Sequence, residues 1–404
     1  MARYLAEQGA LVAGIDAKAY KAALAKQKKG CLYPAADFEQ LSLMLQKKYK
    51  FKDYQKPILV GYSYGATLVY GLLAQAPSGT FMGAIALGFS PDIELPAAPC
   101  KANGLPFHRL KQKNTYYLDP VKAVPSPFLV LNGLKDEVCD YEKTELFLKD
   151  MQQAELIGLP LVGHGFSITD NWLPQFKSAY QKIRQTHLEN SLGSKHFISI
   201  QTDLPIHILA AKENKGDQLL FFLSGDGGWT SFDQGLAAAY TKQGFTVMGL
   251  DAQKYFWQKR SPEETTAAIS HVLQLYLKEH PNARIALMGY SFGACIAPFV
   301  ANRLIGKPKE NLKEIILLSP DTHGDFEIHV SDMLSFGLRQ NPYDVVAELR
   351  KTSGIQRLCL FGDGEDSAVT QAFKRIGVAV EILPGGHHYN NDFNSIVDAT
   401  SKTR

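Results

Sequence analysis

The sequence is short of several features, each of which would place it in a different class of protein. Its 404 residues carry 43 basic and 40 acidic side chains, for a net charge of +3, so a nucleic-acid partner is not indicated. The uncharged stretch 57–91 is interrupted by glycine and proline, whereas a membrane span needs about 20 mainly apolar residues in one helix. The five cysteines form no CxxC pair and no metal-binding spacing. The first eight residues contain no apolar leader, so as written there is no signal peptide.

What is present is a globular composition, 45% hydrophobic and 21% charged, arranged in two copies of one pattern. Residues 5–18 resemble 240–253, Ile58–Ala66 matches Ala286–Ala294, and Ala86–Asp92 matches a segment that ends at Asp321. In each copy, short apolar runs alternate with helical patterns. This alternation predicts an α/β fold with a mostly parallel sheet and helices on both faces. We predict domains at 1–190 and 196–404, with the polar segment 186–195 as their linker.

The first copy has no counterpart of about forty residues that open the second. These residues include the run 219–223, which is typical of a fully buried strand, and the loop Ser224–Trp229. Removing a central strand from a buried sheet would expose the backbone groups of its neighbours. We therefore expect that the chain is truncated at its N-terminus and that any signal peptide was lost with the missing segment.

Each copy contains a G-x-S-x-G motif between an apolar strand and a helical pattern, centred on Ser63 in the first copy and on Ser291 in the second. The glycines permit a tight strand-to-helix turn that lifts the serine hydroxyl out of the sheet, as in the nucleophile elbow of α/β hydrolases. A glycine-rich turn in a Rossmann-like sheet is the structural alternative. The two occurrences predict tandem α/β-hydrolase-like domains.

A serine nucleophile needs a base and an acid that orients the base, and in this fold the chain order is serine, acid, histidine. In the second copy we predict Ser291, Asp366 and His387, with Asp363 as an alternative to Asp366. The first copy offers a second triad at the matching strand ends, formed by Ser63, Asp136 and His164.

An oxyanion hole needs two donors aimed at the point where negative charge develops. We assign these donors to the backbone N–H groups of Phe292 and Asp226, the latter in the loop Ser224–Trp229. Because the first copy has no such loop, we predict that its triad is not competent alone. No metal or cofactor is required by this chemistry.

Cys31 and Cys100 lie in predicted loops of the first copy and form a disulfide if the protein is exported, or else remain unrelated thiols.

Four segments together resemble the VirJ and AcvB family of bacterial virulence proteins: 222–229, 289–293, 319–321 and 385–388. The two-copy arrangement resembles the AcvB-like members, and VirJ corresponds to the second copy alone. The resemblance implies an exported, periplasmic α/β-hydrolase-like protein associated with hydrolysis of lysyl-phosphatidylglycerol and with type IV secretion. It carries the nucleophile role to Ser291, with His387 and Asp366 as partners.

The residues thus predict a serine esterase in the second copy, and the resemblance implies that it releases lysine from an aminoacylated phospholipid at a membrane surface. An open site would suit this substrate, with Trp229, Tyr290, Phe292 and Tyr389 as an apolar wall. The carboxylates that would pair with the lysyl ammonium are Asp226, Asp321 or Asp325. The alternatives are another serine hydrolase or acyltransferase, and a non-catalytic adaptor for secretion-system proteins.

Overall fold

The computed structural model describes residues 1–27, 30–101, 104–193, 202–212, 217–329 and 342–401. The chain divides into two compact units. The first unit comprises Met1–Leu45 and Gln55–Asn190, and the second comprises Gln46–Tyr54 and Ser191–Arg404. The segment 186–195, predicted as a linker, is helical as far as Gly193, and its last two residues lie outside the described part of the chain.

The first half of the chain alternates helices and strands in the order α1 (Ala2–Glu7), α2 (Ala17–Leu24), α3 (Pro34–Lys48), β1 (Ile58–Tyr62), α4 (Tyr64–Gln75), β2 (Gly83–Leu87), β3 (Asp92–Glu94), β4 (Phe107–Arg109), β5 (Thr115–Leu118), β6 (Ala123–Gly133), α5 (Tyr141–Leu148), β7 (Gln152–Leu159) and α6 (Leu173–Gly193). A short 3-10 helix, Thr169–Asn171, precedes α6.

The second half follows in the order β8 (Ile206–Leu209), β9 (Gln218–Leu223), α7 (Ser231–Lys242), β10 (Phe245–Leu250), α8 (Ala252–Tyr255), α9 (Pro262–Glu279), β11 (Arg284–Tyr290), α10 (Phe292–Arg303), α11 (Gly306–Asn311), β12 (Leu312–Leu318), β13 (His323–Gly324), β14 (Tyr343–Asp344), α12 (Val345–Lys351), β15 (Gln356–Gly362), α13 (Ser367–Arg375), β16 (Ala379–Leu383) and α14 (Phe393–Ser401). A 3-10 helix, Gly386–Asn391, follows β16.

Both units are built on a largely parallel sheet, which confirms the predicted fold class. Among the described residues, the main sheet of the second unit has seven strands in the order β16-β15-β12-β11-β9-β10-β8, and within it only β8 is antiparallel to its neighbour. The first unit has four parallel strands in the order β1-β2-β6-β7. Its four strands correspond, through the repeat, to β11, β12, β15 and β16.

Side chains of successive strand residues point to opposite faces of each sheet, so each sheet has a core on both sides. In β9, Leu219, Phe221 and Leu223 pack on one face while Leu220 and Phe222 pack on the other. Every residue from 219 to 223 is fully buried, which confirms the strand predicted there.

The first sheet differs from the second at the strand that carries the elbow. In the second unit β11 lies between β12 and β9, whereas among the described residues of the first unit β1 pairs with β2 alone. Residues 10–15, which the repeat aligns with β10, form no strand, and Leu11, Val12 and Ile15 are exposed. The serine elbow of the first unit is therefore at an edge of its sheet.

Cys31 and Cys100 form a disulfide in the first unit, the first of the two alternatives left open by the sequence. The backbone beside it is fixed by the Gln75 amide, which donates to the carbonyls of Leu32 and Cys100 at 3.2 and 2.9 Å. The other cysteines, Cys139, Cys295 and Cys359, are buried thiols.

Within the described residues, no helix combines the length and apolar character needed to cross a bilayer.

Candidate active site

Ser291 occupies the turn between β11 and α10, and it has a positive φ of 51°. This conformation is uncommon for a residue with a side chain and indicates a turn held by its surroundings. The glycines on either side explain the tight packing. A Cβ on Gly289 would lie 2.2 Å from the Gly293 carbonyl oxygen, and one on Gly293 would lie 2.3 Å from the Leu223 carbonyl oxygen. The segment thus forms the nucleophile elbow that its sequence predicts.

His387 follows β16 and is oriented by Glu365. The distance from His387 Nδ1 to Glu365 Oε1 is 2.5 Å, and the other carboxylate oxygen accepts hydrogen bonds from the Gly362 N–H at 2.8 Å and the Ser319 hydroxyl at 2.9 Å. Burial by itself would raise the pKa of Glu365, but these three hydrogen bonds, together with the attraction of His387, hold that pKa below its ordinary value. Glu365 is therefore the acid that can fix the tautomer of the imidazole.

Asp366, predicted to orient His387, caps a helix instead. Its side chain is the N-cap of α13 and accepts a hydrogen bond from the Ala368 N–H at 2.8 Å. The alternative, Asp363, accepts from the N–H groups of Gly385 and Gly386 at 3.0 and 3.2 Å and so shapes the histidine loop. Both predictions for the acid are wrong.

The repeat itself contained the signal for Glu365. The offset of 229 residues that pairs Ser90 with Ser319 also pairs Asp136 with Glu365, without any insertion. Pairing Asp136 with Asp366 instead requires a one-residue insertion in the second copy. A glutamate at the same position performs the same hydrogen bonding because its longer side chain still reaches the imidazole.

Ser291 and His387 line the same cavity, but in the part of the chain that the structure describes they form no hydrogen bond with each other. The histidine loop is nevertheless tied to the elbow. The Tyr290 hydroxyl donates to the His387 carbonyl at 3.2 Å, and the two rings lie 5.3 Å apart. Catalytic hydrogen bonds are often long before substrate binds, so this arrangement is compatible with a pair of base and nucleophile.

The predicted oxyanion donors lie beside the elbow. Phe292 is the first residue of α10, where a backbone N–H has no acceptor within the helix. The loop that carries Asp226 passes close by, since a Cβ on Gly225 would be 3.7 Å from Ser291 Cβ. This loop is anchored by Ser224, whose N–H donates to Leu250 and whose hydroxyl oxygen accepts from Ala252. The side chain of Asp226 is exposed and lines the cavity.

The cavity at this site has a volume of about 480 Å³ and is strongly acidic. Among the described residues that line it there is no lysine or arginine. It contains three histidines and six carboxylic side chains, which are Asp226, Asp321, Asp325, Glu327, Glu365 and Asp366. Such a surface attracts cationic groups.

The predicted apolar wall is largely wrong, because only Phe292 of its four members lines the cavity. Trp229 is buried and stacks on His207, with ring centroids 4.9 Å apart. Tyr389 is also buried, and its hydroxyl donates to the Leu360 carbonyl at 2.9 Å. Tyr290 is buried beside Phe232 at 4.4 Å. Aromatic residues near the motif instead build the core below it.

The predicted triad of the first unit is fully connected. Ser63 Oγ lies 3.0 Å from His164 Nε2, and His164 Nδ1 lies 3.0 Å from Asp136 Oδ2. The other Asp136 oxygen accepts from the N–H groups of Val138 and Cys139 at 2.9 and 2.8 Å. Ser63 has a φ of 53°, almost the same as Ser291. This arrangement is what a serine nucleophile with a general base requires.

The surroundings of this elbow are more open than in the second unit. A Cβ on Gly65 would meet no atom within 4 Å, although the corresponding Gly293 packs against the carbonyl oxygens of Leu223 and Ser224. Tyr62 is 41% exposed and its counterpart Tyr290 is 6% exposed. Tyr64, the first residue of α4, offers one oxyanion donor. Within the described residues we find no second loop equivalent to the one that carries Asp226.

Asp136, Cys139 and His164 also bring three potential metal-ligand atoms within 4.8 Å of one another. This set fits a metal poorly, because Asp136 and His164 already bond to each other. Burial and then the charge of Asp136 raise the pKa of the Cys139 thiol to about 11, which disfavours the thiolate that a metal would need. The geometry favours the triad.

Comparison with known proteins gives one family. No curated protein sequence matches the chain. Three of the solved structures that match about half of it are esterases or esterase-related proteins. They are a lipase-esterase related protein from Clostridium acetobutylicum ATCC 824 (15% identity, 49% of this chain and 99% of that chain, TM-score 0.36), a highly thermostable carboxyl esterase from Bacillus coagulans (14%, 50% and 94%, 0.36) and naproxen esterase from Bacillus subtilis (14%, 50% and 88%, 0.36).

At these sequence identities and TM-scores, the similarity to the three structures indicates neither a substrate nor an activity for this chain. The sequence profile described as VirJ, a bacterial virulence protein, matches residues 217–403. That range contains the elbow, Glu365 and His387 together with the acidic cavity. Residues 217–403 of this chain are a VirJ family domain.

Proposed function

We propose that the second unit is a serine esterase that releases lysine from lysyl-phosphatidylglycerol. The observation that carries this proposal is the acidic cavity around Ser291, His387 and Glu365. A lysyl ester carries two ammonium groups at neutral pH, and the cavity offers carboxylates but no lining lysine or arginine among the described residues. The resemblance to AcvB-like proteins supports the same substrate.

In the proposed reaction, Ser291 Oγ attacks the ester carbonyl of the lysyl group while His387 Nε2 accepts the hydroxyl proton. Glu365 holds the Nδ1–H and stabilises the imidazolium that forms. The N–H groups of Phe292 and Asp226 receive the developing oxyanion. The phosphatidylglycerol alcohol then leaves with the proton from His387, and water activated by the same histidine hydrolyses the lysyl-serine ester to free lysine.

The ammonium groups would be recognised by carboxylates near the nucleophile. Asp226 is the best placed, because its loop lies directly beside Ser291. Asp321 and Asp325, the other two predicted carboxylates, also line the cavity. A pair of unit charges 4 Å apart gains about 1 kcal/mol in water and about 4 kcal/mol near a protein surface. One ammonium contact is thus enough to favour a lysyl ester about tenfold or more.

The test is lysine release from vesicles that contain lysyl-phosphatidylglycerol, with the full chain as enzyme. We expect release by the unmodified protein and by Ser63→Ala, and none by Ser291→Ala. Ser63→Ala is the matched control, since it removes the other elbow serine and leaves the second unit intact. Loss of release in Ser63→Ala with full release in Ser291→Ala would overturn the assignment. If no protein releases lysine while a fluorophosphonate still labels Ser291, the substrate is wrong and the esterase chemistry stands.

Asp226→Asn separates recognition of charge from chemistry. We expect it to lower kcat/KM for a lysine ester about tenfold and to leave a neutral ester of the same alcohol nearly unchanged. Asp366→Asn serves as the control, because this carboxylate caps a helix at the cavity rim. Equal losses by Asp226→Asn on both esters would contradict the proposed ammonium contact.

We further propose that the protein works in the periplasm. The Cys31–Cys100 disulfide supports this, because disulfides persist in oxidising compartments and are rare in the cytosol. Alkylation of intact cells, followed by reduction and a second label, should show both cysteines protected until reduction. Free thiols at both positions in the native protein would count against export.

A further inference from the structure

The first unit lies outside the matched family range, yet its triad is the better connected of the two. Ser63, His164 and Asp136 form an unbroken chain of hydrogen bonds, whereas Ser291 does not reach His387. The Tyr62 hydroxyl donates to the His164 carbonyl at 2.8 Å, which fixes the histidine loop as Tyr290 does in the second unit. The nucleophile and its base are therefore already arranged for attack.

The loops around this triad expose apolar side chains. Leu134 and Val138 flank Asp136, and they are 52% and 68% exposed. Leu161 and Ile168 flank His164, and they are 63% and 62% exposed. We call these four residues the apolar rim. Large exposed apolar side chains gathered at one site are a mark of a binding surface.

The two loops that carry the apolar rim are bonded to each other through the backbone. The Leu134 N–H donates to the Leu159 carbonyl at 3.0 Å, and the Lys135 N–H donates to the Val162 carbonyl at 3.0 Å. Lys135 and Glu137 are also exposed on the first loop, but their charges are opposite.

The repeat provides an internal comparison for these four positions. With the offsets that align the triads, the apolar rim corresponds to residues in the second unit that are exposed but carry polar or compact side chains, namely Asp363, Ser367, Pro384 and Asn391. The two copies thus share a backbone and a nucleophile but differ in the chemistry of the surface around it. A difference of this kind at a site rim changes which substrate is preferred.

The missing loop led to the prediction that this triad is not competent alone. Against that prediction, we propose that Ser63 is a second nucleophile of this chain and that it accepts acyl groups from esters of apolar carboxylic acids. Ser63 Oγ attacks the ester carbonyl and His164 Nε2 takes the hydroxyl proton. The C–O bond to the leaving alcohol breaks, and that alcohol receives the proton from His164. Water then cleaves the acyl-Ser63 ester to the free acid. The acyl chain lies along the apolar rim.

The reaction at Ser63 is slow because its oxyanion hole has one described donor, the Tyr64 N–H. Removing one donor from such a hole lowers kcat by about 10²–10³. A reactive ester or phosphonate compensates for this loss, since its leaving group departs readily. Acylation of Ser63 is therefore observable with activated reagents even though turnover of ordinary esters is weak.

The experiment uses the full chain carrying Ser291→Ala, so that the other nucleophile is absent and the outcome does not depend on the proposed lysyl esterase. The probe is an octyl fluorophosphonate, from which the serine displaces fluoride while His164 takes the proton. We expect peptide mass mapping to place the label on Ser63 and the label to vanish in Ser63→Ala/Ser291→Ala. No label on Ser63 in a Ser291→Ala protein with an unchanged unfolding transition would overturn the proposal.

Substrate preference is tested on the same Ser291→Ala background with p-nitrophenyl octanoate and p-nitrophenyl acetate. We expect initial acylation to favour octanoate about tenfold or more, because the longer chain buries apolar surface on the rim. Leu134→Asp/Val138→Ser gives the first unit the residues of the second and should remove this preference. Leu146→Ser is the control, since Leu146 is 72% exposed on α5 and outside the rim. An equal loss in both variants would refute the apolar rim as the acyl site.

Discussion

Exchanging Glu365 for glutamine tests whether Glu365, and not Asp366, is the acid that orients His387. Glu365→Gln keeps the size of the side chain but removes the charge that faces His387 Nδ1 at 2.5 Å. It also weakens the acceptors that the Gly362 N–H and the Ser319 hydroxyl use at 2.8 and 2.9 Å. The imidazole then loses both its fixed tautomer and the stabilisation of its charged form.

The magnitude follows from the role of the acid in a serine triad. Replacing that acid by its amide in the well-studied triads lowers kcat by about 10⁴. Glu365 is partly exposed, with 16% of its side chain accessible, so water screens part of its charge. We therefore expect Glu365→Gln to lower kcat for a p-nitrophenyl ester at Ser291 by about 10³–10⁴.

Asp366→Asn is the matched control, one residue away. Asparagine caps a helix about as well as aspartate, so the fold of α13 and the activity should stay within about twofold of the unmodified protein. Both variants are assayed in a Ser63→Ala background, which leaves Ser291 as the elbow nucleophile. The reasoning fails if Asp366→Asn loses more than about a hundredfold while Glu365→Gln stays near the unmodified rate.

The same residue predicts a pH dependence of stability. The hydrogen bonds of Glu365 hold its folded-state pKa below the ordinary 4.5. The ionised carboxylate therefore stabilises the fold above the unfolded-state value, and this contribution is lost as the pH falls through the lower folded-state value. The free energy of unfolding should fall less between pH 5 and pH 3 in Glu365→Gln than in the unmodified protein. Identical slopes would contradict the assigned hydrogen bonds.

Three further predictions concern the stability of the folded protein. Gly293→Ala should destabilise the protein by about 1–3 kcal/mol, because the added Cβ would lie 2.3 Å from a backbone atom. Gly65→Ala should be neutral or stabilising by up to about 1 kcal/mol, because its Cβ would meet no atom within 4 Å. Thermal unfolding of the two variants measures this difference, and the reverse order of stability would refute it. Replacing Cys31 and Cys100 by serine should destabilise the first unit by about 2–5 kcal/mol in denaturant unfolding, and an unchanged midpoint would argue against the disulfide in the folded protein. Burial raises the pKa of Asp233 to about 7, so the folded state binds a proton that the unfolded state has lost, and the free energy of unfolding falls as the pH rises from about 4 to 7. The free energy of unfolding should therefore fall less between pH 5 and pH 8 in Asp233→Asn than in the unmodified protein. A fall of the same size in both proteins would refute the raised pKa.

The larger features of this protein could be read from its sequence because they rest on local and periodic patterns. The alternation of apolar runs and helical patterns predicted both parallel sheets, and the repeat located both elbows. Glycine at 289 and 293 is required by backbone contacts within and beside the turn itself, so the motif is visible in five residues. The first-unit triad was also predicted in full, since its members all follow the ends of strands.

The acid of the second triad was missed for a reason that belongs to tertiary structure. Glu365 and Asp366 are adjacent in sequence and both follow β15, but only the direction of each side chain decides which one meets His387. The neighbouring residue points away and caps α13. Chemical similarity between aspartates was a weaker guide than the offset of 229 residues, which is unchanged from Ser90 to Asp136.

By itself, the sequence determined the fold class, the duplication, the two serine elbows and the histidines, because these depend on periodicity and on glycine at tight turns. Only the tertiary structure decided that Glu365 holds His387, that most of the predicted apolar wall lies in the core, that the cavity is acidic and that apolar side chains are exposed on the loops of Asp136 and His164. These properties depend on which side chains from distant strand ends meet at one edge of a sheet, and that meeting is created by folding.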